Sequence, residues 1–111
     1  MMGSKLTTHV LDIAHGRPAF GMGVTLLREG KVVMSSVTNA DGRCDAPLLE
    51  GDALVPGIYE LHFQVWEYFS GLGVKSPFLD VVPVRFRVEE GQSYHVPLVV
   101  SPYAYSTYRG S

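Results

Sequence analysis

The feature of this sequence that most limits its possible folds is an alternation of apolar and polar residues over short runs. The clearest run covers residues 58–65 (IYELHFQV), where every second residue from Tyr59 onwards is apolar. Successive side chains of a β-strand point to opposite faces, so this pattern predicts a strand with one buried face. The alternation recurs at residues 5–13, 81–88 and 94–100. The sequence therefore predicts a protein built mainly from short strands.

Turn-forming residues separate these runs at short intervals. Residues 28–31 (REGK) and 89–92 (EEGQ) each predict a hairpin loop, and Asp41-Gly42 predicts a tight reversal because glycine readily takes a positive φ. Residues 47–56 predict an irregular segment. Only residues 66–72 (WEYFSGL) lose the period of two, which predicts a turn or two of helix. About eight short strands and one short helix together predict an all-β sandwich of two sheets.

Composition and charge exclude several classes of protein. The 111 residues predict a single domain over 1–111, which would bury roughly two-thirds of its unfolded surface. A net charge of -2 gives no reason to expect nucleic acid or an anionic membrane as a partner. No apolar stretch approaches the ~20 residues of a transmembrane helix, and residues 1–5 lack the apolar core of a secretory signal. The single cysteine, Cys44, excludes an intramolecular disulfide and favours a cytoplasmic location, or a periplasmic one if a signal peptide was removed.

Strand parity separates two faces in the first and last runs. In residues 94–100 the even-numbered positions are apolar, which predicts that they form the core face and that His95 points away from it. The same argument places His9 on the outer face of residues 5–13. Near the C-terminus Pro102 resets the register, so that residues 106, 108 and 110 alternate with 107, 109 and 111. A sheet face that carries His9, His95 and Pro97 but little bulky apolar surface would not pack well as a hydrophobic core. The pattern therefore favours a face that lines a polar cleft.

Three blocks of sequence carry a resemblance to a known family. They are Thr8-His9-Val10-Leu11-Asp12, Thr38-Asn39-Ala40-Asp41-Gly42-Arg43, and Tyr94-His95-Val96-Pro97-Leu98 continuing to the terminal Tyr108-Arg109-Gly110-Ser111. The chain resembles the 5-hydroxyisourate hydrolases, the enzyme branch of the transthyretin-like family, over essentially its whole length. The resemblance implies a transthyretin-like sandwich whose edge strands pair into a dimer, and two such dimers stacked into a homotetramer. Active sites would line its central channel.

The same resemblance implies an activity and a set of site residues. The activity is hydrolysis of 5-hydroxyisourate, a purine-derived small molecule, to 2-oxo-4-hydroxy-4-carboxy-5-ureidoimidazoline in urate degradation, with neither a metal nor an organic cofactor. The implied catalytic residues are His9, Arg43, His95 and Ser111, and the implied substrate-binding residues are Tyr108, Arg109 and Gly110.

The residue types suit this chemistry. Hydrolysis of a ring amide needs an activated water and a donor for the oxyanion, and histidine is the natural base near neutral pH. The resemblance implies that His9 and His95 activate water and relay protons, with the choice of base left open. Arg43 would polarise the substrate, because its guanidinium is always charged and forms a planar fork of donors. Ser111, with its carboxylate, would orient the cleft.

Several of these residues have simpler interpretations. His15 and His62 are interpreted as structural, because one follows a strand end and the other lies on a solvent-facing alternation. Cys44 could be a thiolate nucleophile, but nothing in the sequence places a base beside it, so a buried small apolar residue is favoured. Arg43 could be an ordinary exposed turn residue. Arg109 could be a surface charge or half of an intersubunit ion pair.

One alternative function of a different class stays open. A transthyretin-like carrier would bind a small ligand in the same channel without chemistry. His9 separates the two readings, because the carriers resemble this family but hold lysine there and lack the Tyr-Arg-Gly-Ser ending. The chain also departs from the family pattern at Ser93, Leu79 and Asp80, which affects expectations about rate rather than reaction.

Overall fold

The computed structural model describes residues 3–111; Met1 and Met2, which begin the N-terminal segment discussed above, lie outside the described residues. This part of the chain forms nine strands, one α-helix and a 3-10 helix at Gly51–Ala53. None of its helices is long and apolar enough to cross a membrane. The strands are β1 (Lys5–Asp12), β2 (Arg17–Pro18), β3 (Gly23–Arg28), β4 (Lys31–Val37), β5 (Leu49–Glu50), β6 (Gly57–Gln64), β7 (Val81–Val88), β8 (Tyr94–Val100) and β9 (Tyr105–Thr107), and the helix is α1 (Val65–Gly71).

The strands form two sheets. The first sheet has the order β2-β1-β8-β9, with β5 also paired to β1, and the second has the order β4-β3-β6-β7. β1 and β8 run parallel, from Leu6 opposite Tyr94 to Asp12 opposite Val100. The other strand pairs within residues 3–111 are antiparallel. All four strands of the second sheet lie between β1 and β8 in the sequence, so the central pair of the first sheet joins the two ends of the chain.

Side chains from one face of each sheet form a common core. Tyr59, Leu61 and Phe63 of β6 are completely buried, and so are Leu6 and Val10 of β1. Each fully buried large apolar side chain stabilises the fold by about 1.5–3 kcal/mol. The residues between them on each strand are more exposed, as a period of two requires. The predicted two-sheet sandwich with one short helix is confirmed.

Two connecting segments differ from their predictions. Residues 89–92 do not form a hairpin loop, because β7 belongs to the second sheet and β8 to the first. The segment instead carries the chain from one sheet to the other. Residues 47–56, predicted to be irregular, contain the two-residue β5 and the 3-10 helix. Pro83 lies on β7, the edge strand of the second sheet. No strand pairs with the outer side of β7, so proline, which lacks an N–H, is tolerated there.

A buried carboxylate fixes the end of β1 against α1. The Tyr68 hydroxyl donates to Asp12 Oδ2 over 2.7 Å, and the His15 ring donates to the same oxygen over 2.6 Å. The His15 backbone N–H donates to Oδ1 over 3.0 Å. Burial opposes ionisation of Asp12, but these hydrogen bonds outweigh it, and the pKa of the carboxyl lies below its ordinary value. Burial and the bond to Asp12 raise the pKa of Tyr68 to about 12.

Candidate active site

The two candidate histidines lie on the outward face of the first sheet, on its two central strands. In the parallel register of β1 and β8, His95 is opposite Thr7 and His9 is opposite Pro97. Both imidazoles are half-buried. The parity argument from the sequence is therefore confirmed, because the core residues alternate with these positions on both strands. In this register His9 and His95 are two positions apart, although they are far apart in the sequence.

A tightly bonded loop places Arg43 beside His9. Asn39 Oδ1 accepts hydrogen bonds from the backbone N–H groups of Asp41 and Arg43, at 2.9 and 3.2 Å. The Asn39 N–H donates to the Arg43 carbonyl over 2.7 Å, which closes the loop. Arg43 then forms an isolated antiparallel bridge with His9. Its guanidinium is exposed and makes no hydrogen bond or ion pair with any residue in 3–111, so it is available to a ligand.

Gly42 allows this loop to approach β1 closely. Its φ of +78° lies in the left-handed region, as Asp41-Gly42 predicted. The Val10 N–H donates to the Gly42 carbonyl over 2.8 Å. A Cβ on Gly42 would collide with the Val10 carbonyl oxygen and lie 3.3 Å from Cδ2 of His9. Glycine is therefore required here both by the backbone conformation and by the space beside the imidazole.

The hydrogen bond of His9 defines which of its nitrogens can act as a base. His9 Nε2 lies 2.9 Å from the Asp41 carbonyl oxygen. A carbonyl can only accept, so Nε2 carries the proton and the lone pair of the neutral ring is on Nδ1. Within residues 3–111, Nδ1 has no hydrogen-bond partner. A neutral His9 thus presents Nδ1 as a base, with its tautomer fixed by main chain.

His95 has a similarly defined arrangement. Its Nδ1 lies 2.8 Å from Thr7 Oγ1, and no residue in 3–111 bonds to its Nε2. Burial lowers the pKa of the His95 imidazole, and the nearby Arg43 and His9 lower it further. These causes all disfavour the imidazolium. The pKa of His95 therefore lies below its ordinary value of 6.5, which favours the neutral ring.

The C-terminal residues pack directly against His95. Gly110 forms an isolated antiparallel bridge with His95, and its N–H donates to the His95 carbonyl over 2.8 Å. A Cβ on Gly110 would lie 2.5 Å from Cδ2 of the imidazole. Ser111 follows, lining with Lys5, Thr7 and His95 a depression of about 220 Å³. The structure thus brings Gly110 and Ser111 to His95.

Tyr108 and Arg109 differ in their surroundings. Tyr108 follows β9 and is 59% exposed; parity puts it on the side of Ser106, which is opposite Val99, and it also borders, with Arg109, a cavity at the edge of the sandwich. The Arg109 side chain goes to the other side of the sheet. Its guanidinium lies 4.3 Å above the ring centre of Tyr94, a core-face residue, and Nη2 donates to Gln92 Oε1 over 2.9 Å and to the Ser93 carbonyl over 3.0 Å.

A large cavity lies on Arg109's side of the sheet and not beside the histidines. It measures about 370 Å³ and opens at the edge of the sandwich between β7 and β9. Val84 and Phe86 line it from one sheet, and Tyr94 and Arg109 from the other. It holds neither His9 nor His95, so its size alone does not indicate where chemistry occurs.

The remaining candidates of the sequence lie outside the site or are structural. His15 is bonded to Asp12, and His62 Nε2 lies 2.8 Å from Glu60 Oε1 on the second sheet. Cys44 is half-buried and packs against the core. Among the described residues, no cluster of three or more histidine, cysteine or carboxylate side chains could hold a metal.

The sequence did not reveal two contacts of the site, the Thr7 hydroxyl on His95 and the Asp41 carbonyl on His9. Thr7 precedes His9 by two residues and so shares its face, which was a usable signal. The contact itself depends on the parallel pairing of β1 with β8, which no local pattern specifies. The Asp41 carbonyl is backbone, so residue type carries no signal for it.

The chain is similar in sequence to several proteins named 5-hydroxyisourate hydrolase. The 5-hydroxyisourate hydrolase of Mesorhizobium japonicum is 53% identical over 116 residues, which cover 98% of this chain and 94% of that protein. The 5-hydroxyisourate hydrolase of Ralstonia nicotianae is also 53% identical, over 96% of this chain and 98% of that one. The similarity thus extends over nearly the full length of both relatives.

Solved structures agree with this likeness. The 5-hydroxyisourate hydrolase of Klebsiella pneumoniae superposes with a TM-score of 0.87 at 38% identity, over 97% of this chain and 99% of that one. An (S)-allantoin synthase gives a TM-score of 0.90 at 43% identity, and this chain spans 44% of its length. The sandwich is therefore transthyretin-like. Residues 6–110 match the HIUase/Transthyretin family as a whole, and the chain belongs to that family.

Proposed function

We propose that this protein is a 5-hydroxyisourate hydrolase, which hydrolyses its substrate to 2-oxo-4-hydroxy-4-carboxy-5-ureidoimidazoline in urate degradation. One observation carries the proposal. His9 Nδ1 and His95 Nε2, two imidazole nitrogens without hydrogen-bond partners in residues 3–111, lie on one sheet face beside the unpaired Arg43 guanidinium. The relatives named for this activity match the chain over nearly its full length. The carrier alternative is not favoured, because those relatives are hydrolases and His9 stands where the carriers have lysine.

His9 is the general base in this proposal. A water bound on the outward face gives a proton to His9 Nδ1, while its oxygen attacks the carbonyl carbon of the ring amide. The imidazolium that forms is stabilised through Nε2–H by the Asp41 carbonyl. The ring C–N bond then breaks as its nitrogen takes up a proton, so that one water is consumed, its OH on carbon and its H on nitrogen. A positioned base of this kind contributes roughly 10²–10⁴ in rate.

Arg43 and His95 act on the substrate rather than on the water. The Arg43 guanidinium donates to the carbonyl oxygen, where negative charge develops, and such a donor is worth most where water is excluded. His95 relays a proton through Nε2, and it suits this role because it is held neutral by burial and by the charges of Arg43 and His9. No metal or organic cofactor enters this scheme.

The C-terminal residues form the rim of the site. We propose that Gly110 closes the site against the His95 ring and that Ser111 orients the substrate from the depression it shares with Lys5. Tyr108 limits the depth of the outward face. Arg109, whose guanidinium lies on the opposite side of the sheet, is proposed to anchor this segment through Tyr94 rather than to contact substrate.

We further propose that the chain, a single hydrolase domain over 1–111, assembles as a homotetramer in the cytoplasm. The outward face of the first sheet and its loops expose large apolar side chains, which a tetramer would cover. They include Ile13, Phe20, Tyr103 and Tyr108. Light scattering after gel filtration measures the assembly, and cell fractionation measures the location. A monomer at micromolar concentration contradicts the assembly.

The activity is tested by following the ultraviolet decay of freshly generated 5-hydroxyisourate. The wild-type protein should accelerate the decay, and His9→Ala and His95→Ala should each lose most of that acceleration. His62→Ala is the matched control, because His62 lies on the second sheet and its ring bonds to Glu60 rather than to any residue of the site. No acceleration by the wild type would contradict the function. Unchanged rates in both site variants would contradict the residue assignment and leave the function standing.

A further inference from the structure

We propose that Thr7 is a positioning residue for this reaction: its hydroxyl holds Nδ1 of His95 and leaves Nε2 as the nitrogen that meets the substrate. The inference rests on the function proposed above. Thr7 Oγ1 lies 2.8 Å from His95 Nδ1, and within residues 3–111 it makes no other side-chain hydrogen bond. This hydroxyl is therefore committed to the imidazole and not to the stability of a turn or a helix end.

The strand geometry fixes the position of this hydroxyl. Thr7 is directly opposite His95 in the parallel β1–β8 ladder, and both side chains point outward. Threonine is branched at Cβ, so its χ1 has few accessible rotamers in a strand. Thr7 also lines both depressions of the site, one shared with Arg43 and the other with Ser111. It thus stands between the oxyanion donor and the C-terminal rim.

An imidazole needs such a partner because its χ2 torsion is broad. Without a hydrogen bond to Nδ1, rotation of the ring would exchange the nitrogen that faces the substrate. The bond made by one ring nitrogen determines the role of the other. When the Thr7 hydroxyl donates to Nδ1, Nε2 carries the proton of the neutral ring. A hydroxyl does this without negative charge, so it orients His95 without favouring the imidazolium as a carboxylate would.

Three variants test the proposal. Thr7→Val removes the hydroxyl and keeps the branched shape, Thr7→Ser keeps the hydroxyl, and Thr25→Val is the control. Thr25 lies on β3 of the second sheet, where its hydroxyl is 3.4 Å from Ser35. We expect Thr7→Val to lower kcat by about 10–100-fold with KM within about threefold, because a displacement near 1 Å costs about 10² in rate. Thr7→Ser should stay within about threefold of the wild type in kcat.

Two readouts distinguish positioning from a structural role. In ¹H–¹⁵N spectra recorded at a pH where the His95 imidazole is neutral, the wild type should show a single tautomer, and Thr7→Val should show a mixture of tautomers. The second readout is the loss of kcat with KM nearly unchanged in Thr7→Val. The titratable and charged groups that face His95 in these measurements are Arg43, His9 and Lys5, and all are retained in the variant.

The outcomes separate this inference from the function itself. Equal losses in Thr7→Ser and Thr7→Val, or a single unchanged tautomer in Thr7→Val, would overturn the role of Thr7. Wild-type kcat in Thr7→Val would overturn it as well. An inactive wild-type protein would overturn the proposed hydrolase function, while the tautomer measurement would still report on the Thr7–His95 contact. Unaltered melting temperatures are expected for all three variants.

Discussion

Replacement of Gly110 by alanine tests how closely the C-terminal segment must fit His95. The added Cβ would lie 2.5 Å from Cδ2 of the imidazole, 3.2 Å from Cγ and 3.3 Å from the His95 Cβ. Carbon atoms in contact are normally about 3.5–4.0 Å apart. Either the ring or the segment must therefore move by about 1 Å. The φ of Gly110 is outside the left-handed region, so the effect comes from contact and not from backbone strain.

We expect Gly110→Ala to lower kcat strongly and the free energy of unfolding only slightly. A displacement of about 1 Å in a catalytic group costs about 10² in rate, so kcat of Gly110→Ala should fall by about 10–100-fold. Overpacking in a core costs about 1–3 kcal/mol, and the chain end has room to move, so the free energy of unfolding should fall by about 1 kcal/mol or less. Decay of 5-hydroxyisourate measures the first quantity, and urea denaturation measures the second.

Gly71→Ala is the matched control for this experiment. Gly71 is the last residue of α1, its φ is also ordinary, and nothing lies within 4 Å of a Cβ placed there. Its kcat should equal that of the wild type, with stability unchanged or slightly raised. If Gly110→Ala retains kcat within about twofold and the His95 ring resonances do not shift, the segment does not hold the imidazole and the reasoning fails.

Two further predictions concern charge. Arg43→Met should move the acid limb of kcat/KM to higher pH. Burial and the Arg43 charge both lower the pKa of His95, so loss of the cation lets that pKa rise towards 6.5. Arg43→Lys should leave the acid limb in place, and an unmoved limb in Arg43→Met would contradict the coupling between Arg43 and His95. Tyr68→Phe should lower the free energy of unfolding at pH 7 by about 1.5–3 kcal/mol, because it removes a hydrogen bond to the buried Asp12 carboxylate. The pKa of Asp12 in the folded protein lies below 3.8, so this contribution to stability is present above pH 3.8 and is lost as the pH falls through the folded pKa. Urea denaturation at pH 7 and pH 3 should show that the stability difference between wild type and Tyr68→Phe shrinks at pH 3. An equal difference at both pH values would count against this role of Asp12.

The faces of the strands could be predicted from the sequence because strand parity is local and binary. Once residues 94–100 form a strand, His95 must be on the face opposite to Tyr94 and Val96, whatever the strand pairs with. The same holds for His9 in β1. The outward placement of both histidines therefore followed from residue order alone.

Strand pairing could not be predicted in the same way, because it is set by contacts between distant segments. Residues 89–92 have the composition of a hairpin loop, yet the strands on either side belong to different sheets. The contact between Thr7 and His95 depends on the parallel β1–β8 ladder, which joins segments separated by most of the chain. The position of the Arg109 side chain could not be predicted for the same reason. Its partners Tyr94, Gln92 and Ser93 are separated from it by the turn between β8 and β9, and the sequence does not give the path of that turn.

Two glycines have equivalent positions beside the two strands that carry the candidate histidines. Gly42 packs beside Cδ2 of His9 and Gly110 beside Cδ2 of His95, and each belongs to a segment joined to its strand by an isolated bridge. Backbone at these positions packs against the Cδ2 edge of each ring, while within residues 3–111 His9 Nδ1 and His95 Nε2 have no hydrogen-bond partner. The segments are held by Asn39 on one side and on the other by Arg109, whose guanidinium lies over the core residue Tyr94. Because both anchors hold segments at the surface rather than strands of the core, changes at them should reduce activity before they reduce stability.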